Sequence, residues 1–300
     1  MDEKLKFTDN EETMKRQIIV TIVLAAFFII IAGCGGVNLP NISEEEIAGY
    51  TMVNITEVNF DMGYRFEYDP NIPDNVNRYF GDEQPVHPVT LSPYQIGKTE
   101  VTQELYERIM GENPSSFIGK DLPVTNLGAT GALEFCNKLS ESAGFDPAYD
   151  PKTGKVDFTK NGFRLPTEAE WEYACRAGTS TIFHSGMSEA DLDRVGWYLG
   201  NSGRKTHPVA QKEPNAFGLY DMHGNVFEFC YDGYSDPPVE SSYPAGHVTD
   251  PISSEDFNYR MMRGGGWFSE PYSCRSYTRS KFWTGGGNYY IGFRLARSVR

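Results

Sequence analysis

After Gly178 the sequence has no long stretch with the periodicity of a helix or a strand, yet glycine and aromatic residues are dense there. Segments such as Gly218-Leu-Tyr, Gly264-Gly-Gly-Trp and Gly292-Phe-Arg mark this region, and no internal repeat of fixed period is visible. Aromatic rings bury large areas, and glycine accepts tight turns. The pattern therefore predicts a compact fold of irregular loops held together by buried rings.

Three segments at or before Gly178 do predict helices. Thr102 is a suitable N-cap for a helix over Gln103 to Met110. Between Ala129 and Ser142, apolar residues recur at the spacing of one helix face. Thr167 precedes a third helix, because Glu170 lies three residues later in capping-box spacing.

The chain is acidic, with a formal net charge of −14 and a pI near 4.8. No nucleic-acid partner is expected, since such binding depends on an excess of Lys and Arg. Five cysteines in 300 residues are too few for a disulfide scaffold. Cys136 and Cys175 lie on the apolar stripes of their helices and are interpreted as packed core thiols. Spacing alone does not define the pairing of the four later cysteines, which are Cys136, Cys175, Cys230 and Cys274.

An apolar run near the N-terminus predicts a membrane anchor. A Lys-Arg pair follows Met14, an uncharged run covers residues 17–31, and Ala32-Gly33-Cys34 comes next. This order resembles a bacterial lipoprotein signal, in which the Cys34 thiol receives diacylglycerol and becomes the first residue of the mature chain. The alternative is a plain N-terminal membrane anchor. The lipoprotein interpretation predicts a lipid-anchored protein of the cell envelope, at the outer membrane or the cell surface.

The sequence divides into three parts on this interpretation. Residues 1–33 are the signal segment, with Met14 as an alternative start. Residues 34–57 contain Gly, Pro and a run of Glu with little to form a core, and they predict a tether. Residues 58–300 are the expected folded domain.

Five ordered segments resemble one known family. They are Pro123-Val-Thr-Asn126 with its following helix, Phe163 to Ala174, Asn215 to Phe229, Arg263-Gly-Gly-Gly-Trp267 and Ile291-Gly-Phe-Arg294. From about residue 58 to 297 the chain resembles the formylglycine-generating-enzyme domain, also called the sulfatase-modifying factor domain. The resemblance implies an α+β fold: a loop-rich variant of the C-type lectin fold, with three main helices and short antiparallel strands.

The resemblance also provides a test for catalysis. In the oxidases of this family, two cysteines five residues apart bind copper(I) and convert a substrate cysteine to formylglycine. Aligned from Arg263, the second position falls on Cys274 and the first on Ser269. A hydroxyl is a hard ligand that does not replace a thiolate on copper(I), so copper binding is not expected. Cys274 is interpreted as a partly buried thiol in a turn, and an oxidase that uses Cys274 in an altered site is the alternative.

Histidines offer no substitute metal site. The sulfoxide synthases of the family need three histidines for iron. The five histidines of this chain form no helical pair and are expected to be surface residues; they are His87, His184, His207, His223 and His247.

One loop resembles a calcium site of the family. The implied ligands are the side chains of Asp221 and Glu228 and the carbonyls of Gly224 and Val226. The alternative is a structural turn whose carboxylates cap backbone groups or pair with Arg, and both interpretations remain open. A second family site implies Asn201 and the Ser202 carbonyl, although the segment for its other ligands is shortened.

The last 38 residues are basic and aromatic, with six Arg, one Lys, a single acid and nine aromatic residues. One interpretation is internal pairing, in which Arg263, Arg275 and Arg294 satisfy buried acids and carbonyls. The other is a recognition surface for an envelope or host protein or a glycan, beside a mobile loop at Gly285-Gly-Gly. Its candidate ligand-binding residues are Trp267, Tyr272, Arg275, Trp283, Tyr289 and Tyr290. The sequence thus favours a non-catalytic binding or structural module over an enzyme.

Overall fold

The computed structural model describes residues 43–65, 83–234, 246–252 and 258–299. Four α-helices lie in these ranges: α1 Gln103–Met110, α2 Ala129–Ser142, α3 Glu168–Arg176 and α4 Glu189–Val195. The strands are β1 Ser43–Ile47, β2 Tyr50–Ile55, β3 Val58–Met62, β4 His87–Leu91, β5 Tyr94–Gly97, β6 Phe163–Arg164, β7 Phe227–Gly233, β8 Val248–Thr249, β9 Tyr259–Arg263, β10 Ser280–Trp283, β11 Ile291–Gly292 and β12 Ala296–Ser298. A 3-10 turn covers Pro271–Cys274.

The three helices expected from the sequence are confirmed. The Thr102 hydroxyl accepts a hydrogen bond from the Leu105 N–H at the start of α1. At α3 the Thr167 hydroxyl accepts from the Glu170 N–H, and the Glu170 carboxylate accepts from the Thr167 N–H, which completes the capping box. These local hydrogen bonds explain why the caps could be located from sequence.

Helix α4 was not expected. It begins with a capping box between Ser188 and Asp191, a spacing that is visible in the sequence. Only Leu192 and Val195 of this short helix are buried. Seven residues give too few apolar positions for a periodicity argument, so the cap was the available signal.

Three sheets complete the α+β fold. The five-stranded sheet has the order β1-β2-β5-β12-β6, with all neighbours antiparallel. The four-stranded sheet has the order β10-β9-β7-β11, and the three-stranded sheet has the order β3-β4-β8. Two pairs are parallel, β7 with β11 and β4 with β8, and the long connections between these partners allow the chain to return in the same direction.

The tether ends earlier than the sequence analysis places it. Strands β1 and β2 lie within the expected tether of residues 34–57, but they pair as a hairpin and β2 joins β5. Met52, Val53 and Ile55 are buried in the core. The Glu run that made this segment look like a linker is the exposed part of edge strand β1, where charge is common. The folded domain therefore begins at or before Ser43.

The core thiols are confirmed. Cys136 packs in the cluster that contains Phe135 and Phe293, and Cys175 packs in the cluster around Trp171. Cys136, Cys175, Cys230 and Cys274 are all buried and free, so no two of them form a disulfide. Burial raises the pKa of the Cys175 thiol to about 12.

The N-terminal anchor lies outside the described residues. Cys34, Met14 and the apolar run 17–31 all precede Ser43, where the description begins. Within the described parts of the chain, no helix has the length and apolar character needed to cross a bilayer.

Candidate functional site

The loop expected to bind calcium lies in the interior, against a buried ion pair. Arg294 reaches Glu228 with two guanidinium nitrogens: Nε donates to Oε2 and Nη2 donates to Oε1, each at 2.6 Å. The Trp171 indole N–H also donates to Glu228 Oε2 at 2.7 Å. Both Glu228 oxygens thus accept hydrogen bonds. For this carboxylate the structure agrees with the alternative to a calcium site, a structural turn in which the carboxylate pairs with Arg.

Asp221 is the other expected side-chain ligand. Its Oδ2 accepts the Ala210 N–H at 2.7 Å, whereas its buried Oδ1 has no hydrogen-bond partner among the described residues. Burial is the main cause that raises the pKa of Asp221 to about 6. The backbone at Asp221 has a φ of +57°, in the left-handed region that Asp tolerates better than most residues.

Glu100 joins these carboxylates, and the sequence analysis missed it. It is completely buried between β5 and α1, and it accepts the Val226 N–H at 3.2 Å and the Asn225 side-chain N–H at 2.8 Å. Burial and then the Asp221 charge hold its pKa well above the usual range. No local signal marks Glu100, because its contacts lie 125 residues further along the chain.

The described side chains do not assemble a metal cage. No group of three or more His, Cys, Asp or Glu in the described ranges is arranged to hold a metal ion. Asp221 Oδ1 is the one buried carboxylate oxygen there with no hydrogen-bond partner. The expected loop therefore fits calcium only in part: Asp221 offers an oxygen, and Glu228 is held by Arg294.

The second expected calcium site is satisfied by internal hydrogen bonds. Asn201 Oδ1 accepts the Tyr198 N–H, and Asn201 Nδ2 donates to the Gly196 carbonyl and to Asp193. The Ser202 carbonyl lies 2.7 Å from His207 Nε2. The oxygens that a calcium ion would need are thus hydrogen-bonded already.

Cys274 is completely buried rather than partly buried. It ends the 3-10 turn and packs against Phe183, Leu192 and Tyr198. A Cβ atom on Gly265, where φ is +76°, would lie 2.6 Å from the Cys274 sulfur. Burial raises the pKa of this thiol to about 12, so it is protonated at neutral pH.

Ser269 does not complete a copper site. It is buried, and its hydroxyl accepts the Gly266 N–H at 3.0 Å. Copper(I) in this family needs two thiolates, and the chain supplies one protonated thiol and one engaged hydroxyl. The residues present do not fit copper(I).

The expectation of surface histidines is wrong for His223 and His87, which are both buried. The His184 N–H donates to His223 Nε2 at 3.1 Å, and His223 Nδ1 lies 2.7 Å from the Cys274 carbonyl. This pattern needs the neutral ring with its proton on Nδ1. Burial lowers the pKa of His223 to about 3, and that of His184 to about 4.

The internal-pairing interpretation is confirmed for all three motif arginines. Arg263 is buried against Glu168 and Glu172 of α3. Arg275 forms a two-pronged pair with Glu83, with Nη2 2.6 Å from Oε1. Arg275, one of the candidate binding residues, is therefore buried and engaged by Glu83 rather than exposed.

The other candidate binding residues are divided between surface and interior. Trp283, Tyr289 and Tyr272 are 56%, 47% and 39% exposed. Trp267 is only 9% exposed and packs between Phe117, Phe268 and Tyr289. Tyr290 is half-buried against Phe268. The exposed rings are thus Trp283, Tyr289 and Tyr272, and Trp267 packs against one of them, Tyr289.

The glycine triplet next to these rings packs against the rest of the domain. The Asn126 N–H donates to the Asn288 carbonyl at 2.8 Å. A Cβ atom on Gly287 would lie 2.4 Å from the Asn126 carbonyl oxygen. Two buried polar atoms here have no hydrogen-bond partner among the described residues: the indole nitrogen of Trp267 and the side-chain oxygen of Asn288.

Comparisons with known proteins agree with this architecture. Residues 40–299 match the family model described as the sulfatase-modifying factor enzyme 1-like domain. The chain is 32% identical over 244 residues to the chaperone protein LppX of Paenibacillus barcinonensis, covering 70% of this chain and 82% of that protein. It is 27% identical over 261 residues to the formylglycine-generating enzyme of Streptomyces coelicolor, covering 72% and 82%. The structure of Treponema denticola variable protein 1 superimposes with a TM-score of 0.71 at 34% identity, covering 87% of this chain and all of that one.

Proposed function

Since this chain belongs to the sulfatase-modifying factor enzyme 1-like domain family, we propose that it is a membrane-anchored envelope lipoprotein whose domain binds a ligand without catalysis. The single observation that carries the proposal is the state of the altered site: Cys274 is a buried, protonated thiol, and Ser269 stands where the oxidases need a second thiolate. The function must come from the site rather than from the fold, because this fold supports both enzymes and binding proteins.

The exposed rings supply the binding surface of the proposal. Trp283 and Tyr289 offer large amphipathic contact areas that lose few rotamers on binding. Near Tyr289, the Trp267 indole nitrogen and the Asn288 side-chain oxygen are a buried donor and a buried acceptor without hydrogen-bond partners among the described residues. A relative that is named a chaperone protein is consistent with a role in binding other polypeptides. The partner classes of the proposal are an envelope or host protein and a glycan.

The proposed membrane anchor is a lipid attached to Cys34. The apolar run and the Ala-Gly-Cys sequence support acylation at this residue. A lipid-anchored domain would present its ring surface in the envelope, outside the cytoplasm.

Calcium is proposed as a stabilising ion rather than a reactant. Its support is Asp221 Oδ1, a buried carboxylate oxygen without a hydrogen-bond partner among the described residues. A divalent cation would offset the repulsion among Asp221, Glu100 and Glu228, which share the Arg294 guanidinium.

The enzyme relatives favour a second candidate function, formylglycine generation with Cys274 in an altered site. Copper(I) titration of the purified chain against a chromophoric chelator separates the two candidates. The native chain should leave copper(I) with the chelator, whereas Ser269→Cys should compete for it. Ser273→Cys is the matched control, because it adds a thiol beside Cys274 without restoring the spacing.

An activity assay completes the test. The native chain should not oxidise a peptide that contains Cys-x-Pro-x-Arg. Oxidation by the native chain that Cys274→Ala abolishes would overturn the binding-module proposal in favour of the oxidase.

A binding assay tests the ring surface directly. The probes are an immobilised glycan panel and a reduced, carboxymethylated protein as an unfolded polypeptide. For whichever probe the native chain binds, Trp283→Ala with Tyr289→Ala should raise the dissociation constant about tenfold or more, as expected for central aromatic anchors. Equal binding by the native and variant chains would show that the ligand site does not include Trp283 and Tyr289.

A further inference from the structure

Trp283 is the most exposed of the three surface rings, and the glycine turn that follows it holds its indole in place. A Cβ atom on Gly285 would lie 2.4 Å from Cζ2 of this ring, and a Cβ atom on Gly286 would lie 3.5 Å from Cε3. The indole therefore lies against glycine backbone, where a larger residue at 285 would collide with it. Because 56% of the side chain is still exposed, the ring offers open aromatic surface to a ligand.

Both ends of this turn are tied to neighbouring segments. At its start, the Thr284 N–H donates to the Asn258 carbonyl at 3.1 Å. At its end, the Asn288 carbonyl accepts the Asn126 N–H at 2.8 Å. A Cβ atom on Gly128, the N-cap of α2, would lie 3.2 Å from the Thr284 carbonyl oxygen. The ring is thus positioned before a ligand arrives, which lowers the entropy cost of binding.

A groove of about 760 Å³ begins at the same turn. Thr284, Ala129 and Thr130 line one end of it, and it continues between α2 and the segment 147–154. Its volume lies within the range of small-ligand sites. Since Thr284 directly follows Trp283, an elongated ligand in the groove can reach the ring.

The groove is polar, but its exposed charges balance. They belong to three acids and three lysines: Glu134, Glu141, Asp150, Lys138, Lys152 and Lys160. Glu134 pairs with Lys138 at 2.9 Å. The remaining basic residue of the lining, Arg260, is buried and donates to the Tyr231 carbonyl. In a chain with a net charge of −14, this balance favours neither an anionic nor a cationic ligand.

The lining mixes hydrogen-bonding groups with shallow apolar surface. Leu133 and Tyr149 are only 9% and 3% exposed, so neither opens a pocket for an apolar side chain of a peptide. Pro147 and Pro151 contribute aliphatic surface, and Thr130 adds an exposed hydroxyl to the charged groups. A sugar ring matches this mixture, because its hydroxyls both donate and accept hydrogen bonds while its C–H face is apolar.

We propose that Trp283 and this groove together bind a neutral oligosaccharide, with one sugar stacked on the indole and further sugars hydrogen-bonded along α2. The inference rests on the proposed function and names its ligand class, a neutral glycan rather than a polypeptide. Stacking favours a sugar whose ring hydroxyls are all equatorial, because polar groups then leave its C–H face uncovered.

Isothermal titration calorimetry on the full chain in mild detergent tests the proposal. The probe is chitotetraose, a neutral oligosaccharide with equatorial hydroxyls, and tetragalacturonate is the anionic comparison of equal length. The native chain should bind chitotetraose at least about tenfold more tightly than tetragalacturonate. Its affinity for chitotetraose should be nearly equal in about 50 mM and about 500 mM NaCl, because no net charge drives the binding.

Two variants and their matched controls locate the binding. Trp283→Ala removes the stacking ring, and Thr130→Trp fills the end of the groove from an exposed position of α2, so each should weaken chitotetraose binding about tenfold or more. Ile118→Ala removes an exposed apolar side chain elsewhere, and Ser142→Trp adds a ring on α2 outside the groove lining; each should change the affinity less than about twofold. An unchanged melting temperature in each variant confirms that the fold is intact.

Three results would overturn the proposal. One is the absence of chitotetraose binding, and the second is equal or tighter binding of tetragalacturonate. The third is a native affinity for chitotetraose in Trp283→Ala and Thr130→Trp. A chain that binds the carboxymethylated protein through Trp283 and Tyr289 but binds no oligosaccharide would keep the proposed function and lose only this ligand class.

Discussion

The buried ion pair of Glu228 and Arg294 allows a quantitative test of whether Glu228 stabilises the fold through Arg294. Both side chains are fully buried, and two hydrogen bonds of 2.6 Å join them. Glu228→Gln keeps the shape and an acceptor for the Trp171 indole but removes the charge opposite Arg294. Breaking one side of such a pair costs about 3–5 kcal/mol, because the remaining charge is stranded in the interior.

The expected change in melting temperature follows from that cost. For a domain of this size, 1 kcal/mol corresponds to roughly 2–4 °C, so Glu228→Gln should melt roughly 6–20 °C below the native chain. Glu44→Gln is the matched control: it removes a 2.7 Å pair with Lys98, but both partners are partly exposed, so it should cost at most about 1 kcal/mol. Differential scanning fluorimetry at pH 7.5 measures both variants.

Melting curves with and without EDTA distinguish a role of Glu228 in the ion pair from a role as a calcium ligand. If Glu228 acts through Arg294, Glu228→Gln should be destabilised equally with EDTA and without it. Combining Glu228→Gln with Arg294→Met should recover part of the loss, since no charge is then stranded. Equal tolerance of Glu228→Gln and Glu44→Gln would refute the reasoning, and so would a native chain that falls to the variant's melting temperature in EDTA.

Three further predictions follow from the anchor, the ring surface and the calcium proposal. Cys34→Ala should release the chain from the membrane fraction, and mass spectrometry of the native mature protein should find Cys34 acylated at its N-terminus; retention of residues 14–33 would contradict this. Trp283→Ala with Tyr289→Ala should leave the melting temperature nearly unchanged, because both rings are about half exposed. Trp267→Ala should instead lower the free energy of unfolding by about 3–5 kcal/mol, because this ring is buried. Unfolding of the double variant would show that the two rings belong to the core. Millimolar Ca²⁺ should raise the melting temperature over that in EDTA, by about 1.4 kcal/mol of stability at ten times the dissociation constant, and Asp221→Asn should abolish the gain; identical native curves would leave the turn with a structural role only.

Helices and family membership could be predicted because their signals are local. A cap such as Thr102 or Thr167 acts over three residues, and the apolar stripe of α2 repeats within one helix. The same is true of the motifs that carry the family resemblance. Helix α4 was missed although its capping box is equally local.

The roles of charged residues were decided only by the tertiary structure. Arg275 looked like a binding residue until the fold placed it against Glu83, 192 residues away in the chain. Glu100 gave no sign of its contact with Val226, and the ring nitrogen of His223 that carries the proton is set by a carbonyl 51 residues away. A side chain's charge and burial depend on which distant segments surround it. The sequence alone therefore determined three helices and the family, whereas only the packed fold decided the ends of the tether and the partners of the polar groups.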